Sequence, residues 1–352
     1  MTIESLPVLD LSELDGGGRA AEDFLTRLRQ ATHDVGFFYL VGHGVPQTLV
    51  DTMISTAHSF FALPVDDKMA IENLKSPHFR GYTRIGGERT QGRTDWREQI
   101  DIGPERPAVE PGPEVPEWER LEGPNQWPAA MPELRGVVTR WDAEMMGVGL
   151  RLLRAWARAL GQPADVFDEA FADRPSTLLK IVRYPGRSGR NPMNDNGSAA
   201  PADEADRQGV GSHKDGGVLT LLLLEPGTAG LQVQHDGGWI DAPPMPGAFV
   251  VNIGELLEVA TNGYLKATVH RVLSPPDGSE RISIPFFYNP ALSSTIPMLT
   301  LPSELQAEAV GITADPDNPL YATYGANLLK SRLRAHPDVA AIHHADLLAA
   351  RR

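Results

Sequence analysis

The sequence predicts a mainly β protein with flanking α-helices, and three observations carry that expectation. From about Leu178 onward, short apolar runs follow one another (LLKIVRYP, VLTLLLLEP, LQVQH, AFVVNIG, ATVHRVL, RISIPFFYNP), separated by Gly, Pro, Asp and Asn. Such runs between turn residues are the signature of an antiparallel sandwich or barrel. Before that point the apolar spacing is helical in several stretches. The composition, 41% hydrophobic and 22% charged over 352 residues, is an ordinary globular balance. A chain this long buries roughly three quarters of its unfolded surface. It needs no disulfides and has no Cys, which removes thiol catalysis, Cys–zinc sites and iron–sulfur clusters.

In chain order, Pro7 to Leu11 reads as a short strand and Gly16-Gly17-Gly18 as a turn. Ala20 to Asp34 places Phe24, Leu25, Leu28 and Ala31 on one helical face. Gly36 to Val41 is an apolar, aromatic strand, and Pro46 to Phe61 a helix with Pro at its start, where Pro is tolerated. Residues 76 to 135, rich in Pro, Gly and charge, read as loops with one strand at Glu98 to Ile102. Gly136 to Leu160 is a long amphipathic helix, and Leu301 to Val310 and Ala326 to Leu333 are C-terminal helices. The long polar segment Gly186 to Gly211 reads as a functional loop that gates a pocket.

The net charge of −14 disfavours nucleic acid and anionic membrane surfaces as partners. The N-terminus shows no basic patch before an apolar core, so no signal peptide is read. The longest apolar run, Val218 to Leu224, is too short to span a bilayer. With the absence of Cys, this gives an expectation of a cytoplasmic protein. Six lysines against 26 arginines suggest a GC-rich bacterial source. Nothing in the sequence fixes an oligomeric state.

Two patterns carry chemistry. His213 and Asp215, two apart in an extended chain, point to the same side, and His270 lies in a later apolar run that can form a neighbouring strand. Two His and one carboxylate on one face of an octahedral ion leave positions open, which suits non-haem Fe(II) and O2. Taken alone, His-x-Asp also fits a surface turn. Arg281 and Ser283 likewise share a side, and a guanidinium beside a hydroxyl is a receptor for a carboxylate; a surface Arg on a strand is the plainer alternative.

The ordered set of motifs resembles one family. Pro7-Val8-Leu9-Asp10-Leu11, GFFYLVGHGV at 36 to 45, Arg80-Gly81-Tyr82, Tyr184-Pro185, His213-Lys214-Asp215, Leu231-Gln232-Val233, Trp239, Val251-Asn252-Ile253-Gly254, Thr261-Asn262-Gly263, His270-Arg271-Val272 and Arg281-Ile282-Ser283 together resemble the isopenicillin N synthase-like family of 2-oxoglutarate- and Fe(II)-dependent dioxygenases. The resemblance implies a double-stranded β-helix (jelly-roll, cupin-like) core. Residues 1–135 would be an N-terminal α/β region packing on it, 136–300 the core with its support helix, and 301–352 C-terminal helices, all in one unit. It implies His213, Asp215 and His270 as iron ligands. It also implies Arg281 and Ser283, with Tyr184, at the distal carboxylate of 2-oxoglutarate, and O2 as the other cosubstrate. The activity implied is oxidation of a small-molecule substrate (hydroxylation, desaturation or related) with release of succinate and CO2. An Fe(II) oxidase of the isopenicillin N synthase type, independent of 2-oxoglutarate, is the alternative, because it too keeps the Arg-x-Ser pair.

Further residues are weighed against plain roles. The Asn252 amide is placed to reach the iron's oxygen ligands or a ligand His, or to serve as a structural brace. Lys180 is a substrate contact or a solvated strand Lys; Arg97 a substrate contact or half of a surface ion pair. Arg80 and Tyr82 are read in a loop able to cover the site, and Phe287 and Asn289 on a strand with one face in the pocket. His43 is read as structural.

Overall fold

The structure, a computed structural model, describes residues 5–187, 207–312 and 318–350. Most of the segment 186–211, and with it the gating role expected of it, lies outside the described residues. Fourteen strands are described. The first six are β1 (Val8–Asp10), β2 (Phe37–Val41), β3 (Gly81–Thr83), β4 (Arg89–Thr90), β5 (Arg93–Thr94) and β6 (Glu98–Ile102). Then come β7 (Leu178–Pro185), β8 (Gln208–His213), β9 (Leu219–Leu224), β10 (Leu231–His235) and β11 (Gly238–Asp241). The last are β12 (Phe249–Ile253), β13 (His270–Leu273) and β14 (Glu280–Tyr288). The helices are α1 (Gly18–Asp34), α2 (Gln47–Phe61), α3 (Val65–Ala70), α4 (Glu133–Ala159), α5 (Asp168–Phe171) and α6 (Glu255–Ala260). They are followed by α7 (Ser303–Gln306), α8 (Tyr324–Ala335), α9 (Pro337–His343) and α10 (Ala345–Ala350). No helix among the described residues is long and apolar enough to cross a membrane.

The strands form a jelly roll. The major sheet runs β1-β2-β12-β9-β14-β7-β6-β3, the minor sheet β11-β10-β13-β8, and β4-β5 is a separate hairpin. Strands from the N-terminal region close both edges of the major sheet. The sequence hides its alternation because both faces are covered by apolar groups. Phe38, Leu221, Leu223, Phe249, Val251, Ile282, Ile284 and Phe286 belong to the core under the helices. Their neighbours Phe37, Tyr39, Leu222, Leu224, Val250, Val182 and Tyr184 fill the space towards the minor sheet. Period two survives as a choice of core, not as a change of polarity.

The support helix α4 buries one stripe, Trp141, Met145, Val148, Leu152 and Trp156, at helical spacing. Trp156 stands edge-on to Phe38 at 6.3 Å between ring centroids, and Trp141 to Phe249 at 5.9 Å. Gly149 lets the helix approach β14, since a Cβ there would sit 2.5 Å from Cδ1 of Tyr288.

Two expectations need correction. The helix expected over Leu301 to Val310 is only the four residues of α7. Arg80 and Tyr82 do not lie in a covering loop: both are buried, Tyr82 within β3 at the edge of the major sheet. Gly81 makes this possible, with φ +104° and the Ile71 carbonyl where a side chain would stand.

Trp156 is fully buried, and its Nε1 donates to Thr32 Oγ1 at 3.3 Å. Trp156→Ala should cost about 3–5 kcal/mol of stability. Urea unfolding checks this, and an unshifted midpoint would show that α4 does not brace the sheet there.

Candidate metal and cosubstrate site

The register of the minor sheet builds the first half of the site. β13 pairs antiparallel with β8 so that His270 lies directly opposite His213, and the ring centroids are 4.3 Å apart. Asp215 follows two residues beyond His213. Its Oδ1 lies 3.6 Å from His213 Nε2 and 3.7 Å from His270 Nε2. One ligand atom from each of the three falls within 4.8 Å of the others, the spread that one metal ion requires.

The chain prepares each donor. His213 Nδ1 contacts the Gly211 carbonyl at 2.8 Å, and His270 Nδ1 the Thr268 carbonyl at 3.1 Å. A carbonyl only accepts, so Nδ1 carries the proton in both rings and Nε2 keeps a free lone pair. Phe37 stands edge-on to the His270 ring at 5.0 Å. On Asp215, Oδ2 accepts from Thr220 Oγ1 at 2.6 Å and from Asn252 Nδ2 at 2.8 Å, leaving Oδ1 towards the imidazoles. Thr220 and Asn252 are cross-strand partners on β9 and β12, so the major sheet orients a ligand of the minor one. Burial pushes the Asp215 carboxyl up, but His270, His213 and the two hydrogen bonds outweigh it and hold it below the usual range. Burial, then His213, pushes His270 down to about 4, so the ring is a neutral donor. Gly254 is needed behind the loop, because a Cβ there would stand 2.3 Å from the Gly217 carbonyl oxygen.

The second half lies on the major sheet. Arg281 is opposite Tyr184, and Ser283 opposite Val182. Arg281 is 1% exposed, its guanidinium 4.9 Å from the Tyr184 ring centroid. Its Nη1 has no hydrogen-bond partner, and no carboxylate among the described residues pairs with it. Burial pushes its pKa down from the ordinary value. A buried guanidinium without an anion is costly, so this residue fits an incoming carboxylate, with the buried Ser283 hydroxyl on the same face.

The other candidate residues separate by face. Lys180 and Phe287 share the face of Arg281 and Ser283, with Phe287 opposite Thr220. Arg97 adjoins that face and is buried, bound through Nη2 to Glu88 at 3.0 Å and Asp95 at 3.2 Å. Tyr82 is on the helix-side face: its hydroxyl donates to Glu98, and its ring belongs to the core beneath α4. Asn289 accepts from the Val218 backbone N–H at 2.8 Å, holding the turn between Asp215 and β9. His43 stacks on Phe249 at 4.2 Å, a packing role. Sequence reasoning passes over Thr220, although its hydroxyl is the one polar break in VLTLLLL. It also passes over Glu88, Asp95, Asp101, Arg332 and His336, which converge with Lys180 and Arg97. Lys180 Nζ lies 2.9 Å from Glu88 and 3.6 Å from Asp101, while Arg332 Nη1 donates to Asp101 at 2.8 Å.

Comparison with known proteins identifies the family. Residues 6–130 match the model described as the non-haem dioxygenase in morphine synthesis N-terminal region, and residues 179–290 the 2OG-Fe(II) oxygenase superfamily. A 2-oxoglutarate-dependent dioxygenase of Dothideomycetidae sp. is 37% identical over 96% of this chain and 92% of its own. A homoarginine-6-hydroxylase of Arabidopsis thaliana is 32% identical over 80% of this chain and 76% of its own. The crystal structure of a full-length Neurospora crassa protein in complex with alpha-KG and 5-formyluracil superposes with TM-score 0.70 at 25% identity, covering 94% of this chain and 96% of that one. Relatives from fungi, plants and amoebae do not support the bacterial source inferred from arginine usage. The paired imidazoles, the braced carboxylate and the uncompensated arginine thus stand in a chain that belongs to the 2OG-Fe(II) oxygenase superfamily.

Proposed function

We propose that His213 Nε2, Asp215 Oδ1 and His270 Nε2 hold Fe(II), and that Arg281 and Ser283, beside Tyr184, receive the distal carboxylate of 2-oxoglutarate. The protein is a non-haem Fe(II)- and 2-oxoglutarate-dependent dioxygenase that oxidises a small molecule, releasing succinate and CO2. The observation that carries the residue assignment is the buried, unpartnered Nη1 of Arg281 on the sheet face that leads to the triad. Iron, when bound, supplies the reduction of O2 that is coupled to decarboxylation of 2-oxoglutarate and oxidation of a substrate C–H bond.

The chain's own part is positioning and exclusion of water. The Gly211 and Thr268 carbonyls fix both rings in one tautomer. Thr220 and Asn252 turn Asp215 so that a single oxygen faces the metal. Val182, Leu222, Leu224, Val233 and Val250 form a dry wall between the sheets, which strengthens the Arg281–carboxylate attraction. Substrate contact is proposed for Lys180, Arg97 and Phe287 on the same side. The acidic balance and the absence of Cys support a cytoplasmic enzyme without a nucleic-acid partner. The alternative, an oxidase that uses no 2-oxoglutarate, is not favoured by relatives named as 2-oxoglutarate-dependent.

His213→Ala and His270→Ala should each lose Fe(II) in equilibrium dialysis and abolish succinate formation. Retained stoichiometric iron would remove the triad assignment. Arg281→Ala should raise the 2-oxoglutarate concentration needed for the charge-transfer band of the anaerobic Fe(II) protein by about thirtyfold or more, the loss of a buried charge-assisted pair. An unchanged midpoint would free Arg281 of that role. Asn252→Ala, which leaves Thr220 alone on Asp215, should weaken iron binding about tenfold or more, the usual effect of removing a group that orients a metal ligand. Dialysis giving the parent affinity would make Asn252 a brace without consequence for the metal.

A further inference from the structure

Arg80 shares the unusual state of Arg281. It is buried, with 7% exposure, and no carboxylate among the described residues lies within ion-pair distance of it. Its Nε has no hydrogen-bond partner. Gly103 lies flush against the guanidinium, since a Cβ there would be 2.1 Å from Cζ. Among the described residues, the other buried cations tied to this region are engaged: Arg97 with Glu88 and Asp95, Lys180 with Glu88 and Asp101, Arg332 with Asp101. Glu122, whose charge also acts on Arg80, is held by Arg106 at 2.5 Å.

The charges around Arg80 do not close. The charges that act on it are Asp101 and Glu122, two negative, and Arg332 and Arg106, which with Arg80 itself make three positive. His336 adds none near neutrality, because burial pushes it down to about 4. A positive surplus in a desolvated space is expensive unless an anion enters with its hydrogen-bond acceptors. Sheet register links Arg80 to the face of the proposed metal site, because its neighbour Gly81 lies opposite Asp101. Asp101 and Lys180 are cross-strand partners, and Lys180 lies on the Arg281 face of the major sheet. Helix α8 covers this edge of the sheet through Arg332, whose Nη1 donates to Asp101 at 2.8 Å.

We propose that Arg80, beside the Arg332–Asp101 pair, receives a carboxylate of the organic substrate, so that the enzyme oxidises small carboxylic acids. The inference rests on Arg281 being the receptor for 2-oxoglutarate, which leaves Arg80 as the second vacant guanidinium. Two uncompensated arginines then answer to two anions, the cosubstrate and the substrate.

The test uses the full chain loaded with Fe(II) and saturated with 2-oxoglutarate. The probes are a panel of aliphatic, aromatic and amino carboxylic acids of graded size, each beside its own primary amide. Binding is read anaerobically as perturbation of the charge-transfer band, and turnover as succinate release. Acids should bind and stimulate succinate release where their amides do not. Arg80→Gln should weaken the best acid by about thirtyfold or more, and Arg80→Lys, which keeps the charge, should restore part of the preference. No preference for acids, whether from equal binding or from none, overturns the proposal. So does an acid affinity unmoved in Arg80→Gln, or a loss of acid and 2-oxoglutarate binding together, which marks Arg80 as a structural support. Absence of the band in the parent protein would instead sink the cosubstrate reading, so the two failures are distinguishable.

Discussion

The antiparallel register of β13 on β8 sets the position of everything else at the site. His270 stands opposite His213, and a slip of one residue would turn either ring to the far side of the minor sheet. The ladder becomes irregular just after this pair, between His270 and Val272. Such irregularities re-aim side chains at functional sites. The third donor comes from outside the ladder, where the chain has left β8, and so depends on outside support. Thr220 and Asn252 provide it from the major sheet. The metal site is therefore not a property of one sheet. It exists only when the two sheets face each other at the right separation, which the apolar wall of Phe37, Val182, Leu222, Leu224, Val210 and Val233 maintains.

Across the major sheet the face turned towards the site changes character. Beneath the proposed metal and cosubstrate sites it is apolar, with Val250, Leu222 and Leu224. Towards β7 and β6 it carries Lys180, Gln99 and Asp101, with Arg97 beside them. A buried ionic network of this kind is a poor way to gain stability, because desolvation of the charges offsets much of their attraction. Its worth lies in pre-arranged donors and acceptors beside a reaction that must exclude water. Asp95 ties this network to the metal half: Oδ1 accepts from the Gly211 N–H at 3.3 Å, and the Gly211 carbonyl orients His213. A disturbance at Arg97 thus has a short covalent and hydrogen-bonded route to His213, a proposed iron ligand.

Much of this is legible in the sequence, and the exceptions have physical reasons. Helices α1, α2 and α4 follow from their apolar spacing, and the triad from a two-residue offset followed by a His in a later strand. The strand Glu98 to Ile102 appears with the bounds expected. Its exposure does not follow, because Glu98, Gln99 and Asp101 look solvated in sequence and become buried only through Lys68, Lys180 and Arg332, all distant in the chain. Tyr82 reads in sequence as a neighbour of the substrate. Strand periodicity assigns it a face only once its partner is known, and opposite Ile100 it falls on the core side. The contribution of α8 is illegible for the same reason. Arg332 and His336 on a helix look like the polar side of an amphipathic element until a buried carboxylate is found beneath them.

The segments proposed to hold the metal and those proposed to meet the substrate are different parts of the chain. His213, Asp215, Thr220, Asn252, His270, Arg281 and Ser283 all fall within the stretch matched by the oxygenase model, residues 179–290. Arg80, Glu88, Asp95, Arg97 and Asp101 precede it, and Tyr324, Arg332 and His336 follow it. The geometry of the first group is fixed by sheet register. The second group comes from loops, strand β6 and a C-terminal helix, outside the stretch that carries the proposed ligands. A relative named homoarginine-6-hydroxylase and a structural neighbour in complex with 5-formyluracil carry the names of different compounds. In this chain the same division sets the proposed iron set apart from the buried charges around Arg80, and the proposed carboxylate receptor at Arg80 would place selectivity there and not at the metal.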